Sequence, residues 1–303
     1  MSGFGRLIQD YLAAMFAPLM WGTMPAVATE LIGPGHPFLI ATVRSLGGGV
    51  ALMLLFRRLP PPAWYGRVLV LGTVNIALVF ALFFVSASRV PGGIIAILMA
   101  LSPFWATLIG WPLLGERPQP TRLVLIAFGV IGVSLLVHAS AFRLDATGIL
   151  AGIAASASMG GGIVLIKKWG RPVPYLVFTG WQLLAGGILL APLMLWVEGV
   201  PSSFSAPGVA GLLYLLVAAT VLAYPAWFHA IERVGAQRTS MLLLLVPVVA
   251  LLIDVTLLGK PMTLIQGLGA LVIFTCLSLD PLLVRTAPAL TQPMRPASGE
   301  ESA

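Results

Sequence analysis

Thr23, Asn75, Ser156, Ser158, Thr220 and Ser240 are neutral hydrogen-bonding side chains set deep inside apolar runs. Such hydroxyls and amides can bond both the ammonium and the carboxylate of a zwitterion without carrying charge into a low dielectric. Met20, Trp21, Met99, Met159 and Tyr224 would form an adaptable wall beside them. Gly160, which opens the run Gly160-Gly161-Gly162, would let a ligand approach the main chain. This is the chemistry of recognition, with no parts for making or breaking bonds. Small and hydroxyl residues also pack membrane helices together, so each has a purely structural reading as well.

Catalysis would need groups that the chain lacks. There is no HExxH pair, the three histidines are far apart, and the single Cys276 lies in an apolar run. An intramembrane enzyme is therefore a remote alternative, and neither a cofactor nor a metal is expected. Arg44 is the one charge set clearly inward, at the level that Gln182 occupies later in the chain. Both read as structural polar residues, with Arg44 snorkelling or tying down backbone carbonyls near Glu30. Glu116, beside Arg117, reads as half of a local ion pair. No carboxylate falls at the middle of an apolar run, which disfavours an antiporter of cationic drugs, since that needs a titrating acid in the membrane. A carrier of sugar phosphates would want several cations where this chain has one.

These residues need membrane helices to position them. Only 9% of the 303 residues are charged and 59% are hydrophobic, with a mean hydropathy of +1.01, far from any soluble domain. A span needs about 17–25 apolar residues. Ten candidates run from about 11–31, 37–56, 68–87, 93–113, 123–140, 146–166, 174–197, 209–231, 239–258 and 262–280. With the amino terminus inside, thirteen Lys and Arg residues gather on the cytoplasmic side against three outside. That bias orients both termini inward. The net charge of +7 is thus a topology signal, and no nucleic-acid partner is expected. Residues 1–10 read as a cytoplasmic N-terminus and 281–303 as a disordered cytoplasmic tail.

The chain is written twice, over 11–140 and 146–280. An offset of 138 aligns Gly22 with Gly160, Pro34 with Pro172 and Gly48-Gly49 with Gly186-Gly187. After a longer loop, an offset of 144 aligns Arg89-Val90 with Arg233-Val234, Pro103 with Pro247 and Leu114-Gly115 with Leu258-Gly259. Five spans per copy is an odd number, so the copies must lie upside down relative to each other. Inverted repeats let one site open alternately to either side of a bilayer.

Trp21-Gly22, Arg44, Leu101-Ser102-Pro103 with Leu114-Gly115-Glu116, and Tyr224 to Arg233 follow in an order and spacing similar to the drug/metabolite transporter superfamily. The chain resembles its EamA-type ten-helix branch from Tyr11 to Leu279, and most of all the bacterial amino-acid exporters, including the aromatic type. Lys260 departs from the pattern, standing where the second repeat commonly has Glu. The resemblance implies an all-α integral membrane protein of ten helices around a central cavity. It also implies secondary export of amino acids or similar zwitterions across the inner membrane. A multidrug or other metabolite exporter is the alternative within the superfamily. The expected partners are the small-molecule substrate and the lipid bilayer, and the chain is expected to function as a monomer.

The second offset also maps Tyr224 and Trp227 onto Phe80 and Phe83. Inversion would put the phenylalanines toward the outside and the other pair toward the cytoplasm, where two apolar gates would be needed. Pro103 and Pro247, each removing a helix hydrogen bond, are the expected gate hinges.

Overall fold

Backbone amides and carbonyls that enter hydrocarbon must find partners within their own segment. The described residues accordingly form helices and no strand. The structure is a computed structural model that describes residues 3–283 except 116, 139–144, 202, 204 and 235–241. Helix α1 (Gly3–Ala26) ends in a π turn (Val27–Ile32), and α2 is Pro37–Phe56. A 3-10 turn (Pro62–Trp64), α3 (Tyr65–Leu71), a π turn (Gly72–Ala77) and α4 (Leu78–Ala87) run on continuously. Next come α5 (Gly92–Met99), α6 (Ser102–Leu114), α7 (Pro120–His138), α8 (Ala146–Trp169) and α9 (Tyr175–Val197). Helix α10 (Ala206–Leu216) continues through a third π turn (Val217–Leu222) into α11 (Ala223–Val234). A 3-10 turn (Leu242–Leu244) leads into α12 (Leu245–Thr256), and α13 is Leu264–Leu283.

Seven of these helical segments are long and apolar enough to cross a membrane: Leu12–Ile32, Pro37–Phe56, Pro62–Ala87, Gly92–Leu114, Ala146–Trp169, Tyr175–Val197 and Ala206–Ala230. Two boundaries differ from the sequence expectation. Helix α1 starts at Gly3, ahead of the expected first span at about residue 11. The third segment starts at Pro62, because a proline at the first position of a helix costs no hydrogen bond. The expected span 93–113 is two helices, parted by a turn at Ala100 and Leu101.

Consecutive segments alternate in direction, which sorts the turns onto two ends. One end carries Glu30, Arg89, Asp145, Glu198 and Lys260, and we call it the acidic end; the other carries Arg57, Arg58, Arg67, Lys167, Lys168 and Arg171 and is the basic end. Helix starts at the acidic end are satisfied by side chains. Asp145 accepts the Thr147 N–H at 2.7 Å, and Ser205 accepts that of Gly208 at 3.1 Å. At the basic end, α2 closes with Arg57 in the left-handed region at φ 49°, followed by Leu59 and three prolines that forbid its continuation.

Helices in lipid gain no hydrophobic drive from meeting each other, so close contact relies on small residues. A Cβ on Gly49 of α2 would fall 2.5 Å from the Leu184 nitrogen of α9, and one on Gly187 of α9 would fall 2.5 Å from the Leu46 nitrogen of α2. The two contacts exchange under the offset of 138. Since 49 meets 184 while 46 meets 187, the helices cross antiparallel. The same exchange holds elsewhere: Gly22 of α1 lies against Val246 and Val249 of α12, and Gly160 of α8 against Ser102 and Trp105 of α6. Gly48 meets Thr220, and Gly186 meets Ile76.

Substituting Gly49 or Gly187 by Val should therefore lower stability by at least about 1–3 kcal/mol, the usual cost of overpacking. Each variant is expected to show a clear fall in thermal unfolding temperature in detergent. Gly66, whose added Cβ would meet nothing within 4 Å, should accept Ala without loss.

Candidate functional site

A π turn holds one residue more than an α turn and leaves main-chain carbonyls for other partners. The turn Val217–Leu222 uses that freedom at the centre of the protein. The Ala219 carbonyl accepts from Trp21 Nε1 at 3.0 Å and from Arg44 Nη2 at 3.1 Å. Thr220 Oγ1 accepts from Arg44 Nε at 2.7 Å and donates to the Leu215 carbonyl at 2.9 Å. The guanidinium carbon also sits 4.5 Å from the centroid of the Phe80 ring. Arg44 is only 3% exposed. An arginine at the centre of a membrane helix costs about 2.5–3.5 kcal/mol on insertion scales, and these contacts offset part of that. The carbonyl that Arg44 meets is that of Ala219, and Glu30 is engaged instead with Thr29 and Lys260. Among the described residues no carboxylate pairs with Arg44.

The equivalent place in the other half is neutral. Within the π turn Gly72–Ala77, Asn75 Nδ2 donates to Gln182 Oε1 at 3.0 Å, and Gln182 Nε2 donates to the Phe178 carbonyl at 3.3 Å. Arg44 to Thr220 joins α2 to the turn after α10, and Gln182 to Asn75 joins α9 to the turn after α3. Ser158 donates to the Val74 carbonyl of the same turn.

Around these two joints the structure gathers much of the expected wall. Met20, Trp21, Met99, Met159 and Tyr224 pack half-buried against one core cluster that includes Phe80 and Phe83. Trp21 lies 5.7 Å from Tyr224 and 5.4 Å from Trp227, ring centroid to centroid. Phe80 and Phe83 are buried in the half of their segment nearer the acidic end; Tyr224 and Trp227 are half-buried nearer the basic end. Thr23 donates to the Met20 carbonyl at 2.8 Å and shares a hydrogen bond with the Tyr214 hydroxyl at 2.7 Å, while that hydroxyl also contacts Met20 Sδ.

Other expected site residues face protein. Ser156 is buried and bonds back to the Ile153 carbonyl of its own helix. Gly160 is filled by Ser102 and Trp105, and Gly162 by Asn75, so these glycines serve helix contact instead of exposing backbone to a ligand. Pro103 stands second in α6, just after the break at Ala100 and Leu101, rather than inside an unbroken helix. Pro247 falls in the first turn of α12. Glu116 and Ser240 lie outside the described residues.

Two carboxylates that sequence reasoning missed close helix starts across the fold. Glu198 accepts the Phe38 and Leu39 amides at 2.7 and 2.8 Å, capping α2 from the end of α9. Asp254, buried at the end of α12, accepts the Gly93 amide of α5 at 2.5 Å and pairs with Lys260 at 3.1 Å. Lys260, the departure from the repeat, thus has its own acid. A weak sequence signal existed, since both acids end long apolar runs in a chain with only ten. Arg89 bonds Asp145 at 2.6 Å between the halves. That guanidinium, then the Thr147 amide, hold the Asp145 carboxyl below the usual carboxylate range. A cleft of about 450 Å³ opens at this end among Gly35, Phe38, Val85, Ser88, Arg89 and Glu198. None of the expected binding residues lines it.

The profile of the EamA-like transporter family matches residues 9–138 and again residues 146–279. The chain belongs to the EamA-like transporter family. Protein PecM of Dickeya dadantii is 36% identical over 266 residues, 87% of this chain and 89% of that protein. The "Probable amino-acid metabolite efflux pump" of Salmonella typhimurium is 26% identical, covering 90% of this chain and 94% of its own. The "Uncharacterized inner membrane transporter YedA" of Escherichia coli K12 is also 26% identical, over 97% and 99% of the two chains. A solved crystal structure superposes with a TM-score of 0.62 at 25% identity, covering 91% of this chain and 98% of that one. As a member of the EamA-like family the chain is a membrane transporter.

The two joints should differ in strength. Thr220→Val leaves the buried Arg44 Nε unpaired and should cost about 1–3 kcal/mol. Asn75→Leu removes a neutral bond between helices, for which membrane proteins average about 0.6 kcal/mol. Thermal unfolding in detergent should rank the variants in that order.

Proposed function

We propose that this chain is a ten-helix secondary carrier of two inverted five-helix repeats, 11–140 and 146–280, which exports amino acids or similar small zwitterionic metabolites by alternating access. It works in the inner membrane with both termini cytoplasmic. One observation carries the reading: α2 and α9, equivalent in the repeat, cross antiparallel through mutually exchanged glycine contacts. Two copies of one unit related in that way make a carrier that can rock about its centre. The relative named as an amino-acid metabolite efflux pump supports the substrate class. The neutral hydrogen-bonding set at Thr23, Asn75, Ser158 and Thr220, walled by Met20, Trp21, Met99, Met159 and Tyr224, supports it chemically. The basic end is the cytoplasmic face on this reading, by the bias of Lys and Arg. No enzymatic step belongs to it.

Counterflow in proteoliposomes tests the proposal. Labelled amino acids should exchange across the membrane without an imposed pH gradient, since among the described residues no carboxylate stands beside Arg44 or the Asn75–Gln182 joint to carry a coupled proton. Flux of organic cations or sugar phosphates with no movement of amino acids would overturn the substrate class.

The aromatic clusters act as the two gates in this scheme. Burial of one large apolar side chain is worth about 1.5–3 kcal/mol, so removing two should shift the balance of conformations strongly. Alanine at Phe80 and Phe83 should increase labelling of a Ser158→Cys reporter from the acidic end. Alanine at Tyr224 and Trp227 should increase it from the basic end. Equal labelling in both variants would assign all four rings to packing alone.

A further inference from the structure

Arg44 is a buried cation for which the described residues supply no anion. Its joint with Thr220 does the same mechanical work as the joint of Gln182 with Asn75: each ties a long side chain of α2 or α9 to a π turn of the opposite half. The neutral version shows that the fold does not need a charge to make this connection. A charge kept where an amide would serve, at the cost of bringing it into hydrocarbon, points to a ligand that is negative at that place. The surroundings fit that purpose. Trp21 and Arg44 converge on one carbonyl, and Trp21 belongs with Tyr224 to the expected substrate wall and lies 5.4 Å from the expected gate residue Trp227, ring centroid to centroid. Phe80, one of the proposed gate residues, covers the guanidinium face at 4.5 Å. Displacing that ring would uncover the cation as the acidic end opens.

We infer that Arg44 is a substrate-binding residue that receives the carboxylate of the transported molecule. Thr220 and the Ala219 carbonyl orient the guanidinium, and Phe80 shields it when the site is closed. The inference rests on the transport reading above and assigns its substrate a carboxylate. An arginine can engage both carboxylate oxygens at once, whereas lysine offers a point charge without that fit.

The test uses the full chain in proteoliposomes, with counterflow of leucine, methionine, threonine and phenylalanine, each against its own carboxamide. The wild type should move the acids at least tenfold faster than the amides. Arg44→Gln should lose that preference, moving acid and amide within about twofold of each other, and Arg44→Lys should keep part of it. A role confined to holding helices together would lower both fluxes equally and leave the ratio unchanged. Either a wild type indifferent to the amide or an Arg44→Gln variant that retains the preference overturns the inference. Should Arg44→Gln fail to fold, the wild-type ratio and the Arg44→Lys ratio still decide it. Lactate and benzoate serve as further probes. Their Arg44-dependent flux without amino-acid flux would keep the carboxylate site and overturn the amino-acid reading, while no carboxylate flux at all would overturn both.

Discussion

The contact of α2 with α9 at Gly49 and Gly187 is the joint on which the rest of the structure depends. Here two backbones approach so closely that a methyl group on either would fall 2.5 Å from the other's main chain. Lipid offers helices no hydrophobic reason to associate, so dispersion between closely apposed backbones must supply it. The crossing also sets the level of Arg44 and Gln182, each a few residues from a glycine of its helix. Each is thereby brought to a π turn of the opposite half, where unused hydrogen-bonding capacity meets it. Packing and polar recognition are consequently one arrangement.

Charge is distributed by the same economy. Helices that begin at the acidic end expose amides that hydrocarbon or a crowded interface cannot satisfy, and Glu198 and Asp254 reach across from other segments to accept them. Each carboxylate is therefore a tie between segments far apart in the chain. Asp254 with Lys260 and Gly93 joins α12 to α5, and Glu198 joins α9 to α2. The Arg89 and Asp145 pair spans the two halves at the same end but is exposed, and exposed pairs contribute only about 0–1 kcal/mol. What holds this end is the pair of caps from part-buried Glu198 and buried Asp254.

Much of the fold is legible in the sequence, for reasons that can be named. Apolar runs of span length, bounded by proline, glycine and charge, located the helices, because hydrocarbon admits few alternatives. The repeat register was legible because Gly22 and Gly160, or Gly49 and Gly187, occupy contacts where any side chain would clash, so the same residue had to stand at both places. Family membership followed from motif order, and the match over 9–138 and 146–279 bears it out. The unforeseen features were the π turns at Val27–Ile32, Gly72–Ala77 and Val217–Leu222, the break at Ala100 and Leu101, and the role of Tyr214 opposite Thr23.

By itself, then, the sequence determined that the chain is an all-helical membrane transporter of the EamA-like family and which residues are too small or too polar for their surroundings. Those properties reside in local composition and in a register that survives without knowledge of contacts. Only the tertiary structure decided what each such residue meets. It gave Gly160 to Ser102 and Trp105 rather than to a ligand, and paired Lys260 with Asp254. It also set Arg44 against Thr220 and Ala219 beneath Phe80, with no described anion beside it. Partners such as Arg44 and Thr220, 176 residues apart, are chosen by how helices cross, and a one-dimensional pattern of apolar and polar residues carries no record of the crossing.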